Sequence, residues 1–214
     1  FNCFVLADGL GGHRGGQVAA TTAVDAILDR FAANPGITPD CIRDYLLAGQ
    51  NAVIEGQERD SLLSSMRTTA VVLVAGQDAA IWGHVGDSRL YHFRGGAVVA
   101  QTEDHSVPQA MVNAGDLQPR QIRGHEDRNR LLRTLGKEDD FRPEILKAAV
   151  PIAAGDAFLL CSDGFWEYVT ETVMEIEFAR AADPEDWLKG MERRLLEKAE
   201  PGHDNYSAIA VTTG

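Results

Sequence analysis

Four aspartates stand where strand-like runs meet a turn. FVLADG closes on Asp8, GHVGDSRLY turns at Asp87, FLLCSDG closes on Asp163, and HDNYSAIAV starts behind Asp204. Each alone is ordinary turn chemistry, since Asp and Gly both favour turns. Together they pose an electrostatic problem. Strands of one sandwich can bring their ends to a common rim, where close carboxylates without basic neighbours repel by about 4 kcal/mol per pair at an effective dielectric near 20. Something positive must sit among them. The donors on offer are carboxylate oxygens and the carbonyls beside glycines, with no thiolate and no paired imidazole, a hard-oxygen set suited to Mg²⁺ or Mn²⁺ and poorly suited to zinc. Two such ions about 3.5–4 Å apart can clamp a phosphoryl group for in-line attack. The chemistry implied is metal-dependent phosphoester hydrolysis.

The elements that must position these residues follow from apolar spacing. After Asp8 and its glycine loop, Val18, Val24, Ile27, Leu28 and Phe31 recur at near-helical intervals until Asn34-Pro35-Gly36 stops them. Thr38 with Pro39 predicts a capped second helix carrying Ile42, Tyr45, Leu46 and Val53 as far as about Gly56. Residues 68–101 change to short β-branched and aromatic runs, TTAVVLVAG, AAIWGHVG, RLYHF and AVVAQ, read as successive antiparallel strands with a hairpin loop at Arg94-Gly95-Gly96. SVPQAMVNAG predicts a short helix with Gly115 just past its end, and the polar stretch 116–140 a loop-rich excursion with one short helix around 129–135. Strands are expected again at EILKAAVPI and AFLLCS, then two helices, the second begun by Asp183-Pro184, and a last strand at YSAIAV. This order does not alternate βαβα, so a layered α+β sandwich is expected rather than a doubly wound parallel sheet.

Composition narrows the partners. A net charge of -12 over 214 residues, with no block of basic residues, argues against nucleic acid as a ligand. No apolar run reaches the roughly 20 residues that a membrane-spanning helix needs. Cys3, Cys41 and Cys161 are odd in number and widely spaced, which suggests neither a disulfide framework nor a cysteine zinc site and makes a reducing cytoplasm the expected location. No repeat or linker divides the sequence, so a single domain over 1–214 is expected. His84, His92, His105 and His125 show no metal-ligand spacing among themselves and are assigned no chemistry.

Seven blocks, ADGLGGHRGGQVA, RTTAVVL, GHVGDSRLY, DHSVPQAMVNAG, RNRLLRTLG, LLCSDGFWEYV and HDNYSAIAV, resemble in order the motifs of bacterial PPM-type (type 2C) metal-dependent protein serine/threonine phosphatases. The resemblance covers almost the whole chain. It implies a four-layer α-β-β-α sandwich, two antiparallel β-sheets flanked by pairs of antiparallel helices, with metals at one end. It further implies Asp8 bridging two Mn²⁺ or Mg²⁺ ions, the Gly9 carbonyl on one of them, Asp163 and Asp204 on the first, and Asp87 with Asp163 on a third, weaker ion. A metal-bridging hydroxide would be the nucleophile, a phosphorylated protein the substrate, and a serine/threonine kinase the opposing enzyme.

Three departures stand out. Animal members place a histidine two positions after the bridging aspartate, where this chain has Leu10; here, as in bacterial members, His13 follows five positions after. His13 either donates a proton to the leaving oxygen, as an imidazole titrating near neutrality can, or orders the glycine loop. Arg67 replaces the family's usual glycine before the Thr-Thr pair and either points into solvent or reaches substrate phosphate. The upstream strand with its phosphate-binding arginine, and the acidic first motif, have no counterpart in residues 1–7. The expectation is a domain that lacks its N-terminal strand and first motif in the sequence at hand. This keeps open a pseudophosphatase, a phosphoprotein-binding or metal-sensing module without turnover, and a small-molecule phosphomonoesterase is a third reading. The arginines of 116–140, Arg120, Arg123, Arg128 and Arg130, either contact a phosphorylated loop or form a solvated face, the reading preferred.

Overall fold

In the computed structural model residues 1–10, 12–138, 141–200 and 202–213 are described, with the backbone alone at 12 and 13. In chain order the elements are β1 (Asn2–Leu6), β2 (Gly9–Leu10), α1 (Gly12–Ala33), α2 (Pro39–Arg59), β3 (Arg67–Thr68), β4 (Ala70–Ala75), β5 (Ala79–Val85), β6 (Arg89–Arg94), β7 (Ala97–Gln101), α3 (Val107–Ala114), β8 (Glu144–Ile145), β9 (Val150–Pro151), β10 (Ala157–Cys161), α4 (Asp163–Trp166), α5 (Glu171–Arg180), α6 (Pro184–Lys198) and β11 (Ala208–Thr212). Two compact units divide them, Phe1–Ser88 with Glu103–Pro151, and Arg89–Thr102 with Ile152–Gly214. Each unit holds one larger antiparallel sheet and its own helices, the first unit also a two-stranded β2–β3 ribbon, so the α+β expectation is met.

In the first unit the sheet runs β1-β4-β5-β8, with β9 also paired to β5. β1 and β4 lie in register from Asn2↔Ala75 to Leu6↔Val71. Helices α1 and α2 contribute Ala19, Ala23 and Ile27, and Ile42, Tyr45, Leu46 and Val53, to a core shared with Val72, Val74, Ile81 and Val85. Alternate residues of β4 enter that core, as the two-residue period of a strand requires. Burying each such aliphatic side chain contributes about 1.5–3 kcal/mol. α2 begins as the sequence predicts, the Cys41 N–H donating to Thr38 Oγ1 at 3.3 Å with Pro39 in the first turn.

The second unit's sheet runs β11-β10-β6-β7. Its core is aromatic: Phe93 meets Trp187 edge-on at 5.0 Å, and Phe178 lies 4.8 Å from the same indole. The Trp187 Nε1–H donates to the Met174 carbonyl at 3.0 Å, so the ring is buried with its polar group satisfied. Beneath the sheet edge, the buried Asp156 takes a bidentate pair of hydrogen bonds from Arg94, at 2.9 and 2.6 Å, and one from the Ala153 N–H at 3.1 Å. The β6–β7 hairpin closes on Gly95 and Gly96 with φ of 60° and 85°, the left-handed geometry that a tight hairpin turn needs.

Two local expectations need correction. Residues 129–135 form no helix; the excursion's one helical turn is a 3₁₀ segment at Pro119–Gly124. Leu135 instead exchanges both main-chain hydrogen bonds with Thr68, and the Gly136 N–H donates to Gln50 Oε1 at 2.8 Å. The run 144–152 is not one strand. β8 and β9 pair with opposite ends of β5; the Leu146 N–H still donates to the Trp82 carbonyl at 3.1 Å, and the chain bends at Lys147 and Ala148 before β9. Among the described residues no helix is long and apolar enough to cross a membrane.

Candidate active site

In the first unit, Asp8 lies two residues past the end of β1, and its peptide is fixed by a threonine pair. The Asp8 N–H donates to Thr69 Oγ1 at 2.9 Å, while its carbonyl accepts from Thr68 Oγ1 and from the Thr69 N–H, both at 2.8 Å. Thr69 Oγ1 also lies 2.7 Å from Ser88 Oγ. One buried hydroxyl therefore ties Asp8 to the residue after Asp87. Thr68 and Thr69 were legible only as part of a motif; that they clamp Asp8 is visible only in the structure, because the partners lie 60 and 61 residues apart.

Gly9 stands opposite Thr68, and Leu10 opposite Arg67, in the two-stranded β2–β3 ribbon. The start of α1 presses so closely on Gly9 that an added Cβ would collide with the Gly16 carbonyl. Glycine is thus required by backbone approach, and this leaves the Gly9 carbonyl on a short ribbon beside Asp8. Arg67 is exposed, and with Leu10, Leu131, Leu132, Thr134 and Lys137 it lines a cleft of about 390 Å³. Of the excursion's arginines, Arg120 and Arg130 are exposed and Arg123 and Arg128 half-buried; Arg130 pairs with Asp127 at 3.7 Å.

Asp87 sits in the turn after β5 and is 4% exposed. The preceding Gly86 has φ of 106°, where a side chain would be strained, and a Cβ there would meet Thr69 Cγ2 at 2.5 Å. Behind this turn lies a group that the sequence reading did not assemble. His84 and His105 stack at 4.6 Å with planes 16° apart, and His105 Nε2 lies 3.7 Å from Glu144 Oε2. Burial and the neighbouring His105 lower the His84 pKa to about 4. The His105 ring, 3.7 Å away, is the main cause that holds the Glu144 carboxyl below its usual value.

Two imidazoles and a carboxylate within 4.8 Å invite a metal, but the hydrogen bonds point elsewhere. The Gly86 N–H donates to His105 Nδ1 at 3.2 Å, leaving Nε2 to face Glu144. Arg133 Nη1 stands 3.3 Å from that same Nε2, and His84 Nε2 lies 2.7 Å from the Glu103 carbonyl oxygen and donates to it. His105 thus faces a main-chain N–H on one ring nitrogen and a guanidinium on the other, and both histidines are tied to the main chain of the first unit.

In the second unit, Asp163 opens α4 immediately after β10, and Asp204 precedes β11, the neighbour of β10. The two acids are held through adjoining backbone. Ser162 and Ser207 exchange hydrogen bonds, Ser162 N–H to the Ser207 carbonyl and Ser207 N–H to Ser162 Oγ, both at 3.1 Å. A Cβ on Gly164 would strike the Asn205 carbonyl, so glycine is needed for the closeness of these two segments. Asp163 and Asp204 each accept the next residue's N–H on Oδ1, at 2.7 and 2.8 Å. Arg89, 3% exposed, lays its guanidinium 3.6 Å over the Trp166 ring and so braces α4 against β6.

Within the first unit, Thr69 links the Asp8 peptide to the residue after Asp87, and Arg67 stands across the ribbon from Leu10; within the second, adjoining backbone links the segments of Asp163 and Asp204. The His13 side chain lies outside the described residues.

This architecture coincides with that of a known class. The family model for Protein phosphatase 2C matches residues 1–200, and the chain belongs to that family. The serine/threonine phosphatase stp of Listeria monocytogenes is 33% identical over 221 residues, a match covering 97% of this chain and 82% of the relative. The crystal structure of the Mycobacterium tuberculosis serine/threonine phosphatase PstP superposes with a TM-score of 0.86 at 27% identity, covering 97% of this chain and 86% of that one. A structure of the PstP catalytic domain in complex with 2 manganese ions matches with a TM-score of 0.82 at 25% identity, over 97% of this chain and 86% of that one.

Proposed function

We infer that the chain is a metal-dependent protein serine/threonine phosphatase that hydrolyses phosphoserine and phosphothreonine in protein substrates. The Protein phosphatase 2C match over residues 1–200 carries this reading. The donor chemistry agrees with it: carboxylates and a glycine carbonyl are oxygen ligands of the kind Mg²⁺ and Mn²⁺ prefer, and the relative PstP has been crystallised with 2 manganese ions.

In this proposal Asp8, the Gly9 carbonyl, Asp87, Asp163 and Asp204 would supply oxygens to Mn²⁺ or Mg²⁺, two ions held tightly and a third more weakly. When bound, the metals activate water and neutralise charge on the phosphoryl group. The chain's own residues do the rest. Thr68 and Thr69 hold the Asp8 peptide so that its carboxylate starts from a fixed backbone, and the Ser162–Ser207 exchange does the same for Asp163 and Asp204. His13 gives a proton to the departing serine or threonine oxygen. Arg67, with Lys137 on the same cleft beside Gly9, receives the phosphorylated segment of the substrate. A serine/threonine kinase acting in the cytoplasm would supply that substrate.

The test is phosphate release from a phosphothreonine peptide with Mn²⁺, with a chelator, and against sugar phosphates. Release that needs Mn²⁺ and is faster from the peptide is expected. Faster release from sugar phosphates would make the chain a small-molecule phosphomonoesterase, and tight phosphopeptide binding with no turnover would make it a binding module.

A further inference from the structure

His105 takes no part in the chemistry above, yet it meets three separate segments of the first unit. Its main-chain N–H donates to the Gly86 carbonyl at 2.9 Å, and its ring Nδ1 accepts the Gly86 N–H at 3.2 Å. Both polar groups of the peptide unit at Gly86, the residue before Asp87, are thus satisfied by one residue. The His105 carbonyl accepts the Leu132 N–H at 2.8 Å from the excursion, and its Nε2 faces Glu144 on β8. His84 covers one ring face, and the residue itself is 6% exposed. The next residue, Ser106, caps α3, which anchors the backbone of His105 from the other side.

Gly86 has no side chain to fix its conformation and sits at positive φ, so the direction of Asp87 depends on what grips the Gly86 peptide. Thr69 packs against one side of it, and His105 supplies both hydrogen bonds. We propose that His105 is a positioning residue for the phosphatase reaction: through Nδ1 it holds the Gly86 peptide and so fixes the turn that presents Asp87. The proposal rests on the reading of Asp87 as a ligand of the weaker ion. Residues behind a metal ligand that hold it in place typically alter metal affinity by about 10–100-fold.

Side-chain geometry offers a clean test. An Asn side chain places its Oδ1 where His places Nδ1, whereas Gln places its polar atoms near Nε2. His105→Asn should therefore keep the bond to Gly86, and His105→Gln and His105→Leu should lose it. Two readouts separate this proposal from the reading beneath it. In metal-free protein, hydrogen exchange at the Gly86 amide should accelerate by about 10-fold or more in the Gln and Leu variants and stay near wild type in Asn. In Mn²⁺ titrations, the Gln and Leu variants should need about 10-fold more Mn²⁺ for half-maximal turnover, while calorimetry finds the tight ions still bound.

His105→Asn behaving like His105→Leu, or unchanged Gly86 exchange in His105→Gln, would overturn the clamp. Should the Leu variant fail to fold, the Asn and Gln pair alone decides it. Asp87→Asn with an unaltered Mn²⁺ requirement would instead overturn the role given to Asp87, with the Gly86 exchange result still judging His105.

Discussion

The two units hold their acids by different means. In the first, Asp8 and Asp87 are fixed by side chains reaching across long sequence distances: the Thr68 and Thr69 hydroxyls, Ser88 and His105. In the second, Asp163 and Asp204 flank neighbouring strands of one ladder, and the main chain does most of the holding, helped by one serine hydroxyl and by the contact of Gly164 with Asn205. The first arrangement depends on particular polar atoms. The second depends on space. Substitutions should therefore damage the two halves in distinguishable ways.

The largest effect is expected where the acids themselves go. Asp8→Ala and Asp163→Ala should each lower turnover by about 10³-fold or more, equivalent to ~4 kcal/mol of transition-state stabilisation; a phosphopeptide assay checks both, and near-normal turnover in either would remove that residue from the site. Next comes the packing of the second unit. Gly164→Ala forces a Cβ into the Asn205 carbonyl, and a displacement of the order of 1 Å in catalytic groups can cost about 10²-fold in rate. A hydroxyl in the first unit should matter less. Thr69→Val strips the Asp8 N–H of its partner, for about 1–3 kcal/mol of stability and a roughly 10-fold loss of turnover, whereas Thr69→Ser keeps the hydroxyl and should stay near wild type. Equal losses in the Val and Ser variants would show that the methyl packing, and not the hydrogen bond, is what counts.

A fifth acid, Asp156, sharpens the contrast because its partners are structural. The guanidinium of Arg94 is the main cause that holds the Asp156 carboxyl well below the usual carboxylate range, with help from the Ala153 N–H and His92. A depressed folded pKa means that the stabilisation is complete above the unfolded value near 3.9 and fades as pH falls below it. Asp156→Asn should cost about 1.5 kcal/mol, the low end for charge-assisted bonds because Arg94 is half exposed. It should flatten the acid limb of thermal stability below about pH 4 and leave turnover at 25 °C unchanged. Calorimetry across pH against the phosphopeptide rate checks this.

What could be read in the sequence was what is encoded locally. Thr38-Pro39, Gly115, Asp183-Pro184 and the Gly95-Gly96 hairpin each set a boundary by their own dihedral or capping chemistry, and each is found where expected. The motif aspartates were legible because a strand followed by Asp-Gly is a local pattern. What failed was set from a distance. The segment 129–135 looked helical by composition, but Thr68 and Gln50 draw it into an extended path. The run 144–152 looked like one strand until β5 dictated two pairings with a bend between them. The histidines seemed inert because His84, His105 and Glu144 are spaced without periodicity, and only the return of β8 to β5 brings them together.

The central claim is that Asp8, the Gly9 carbonyl, Asp163 and Asp204 are ligands of divalent cations. Anomalous diffraction from crystals grown in millimolar Mn²⁺ tests it most directly. The account predicts manganese peaks about 2.0–2.2 Å from carboxylate oxygens of Asp8, Asp163 and Asp204 and from the Gly9 carbonyl, with a weaker peak at Asp87. Manganese absent from Asp8 and Asp163, or bound instead at His84, His105 and Glu144, would contradict it.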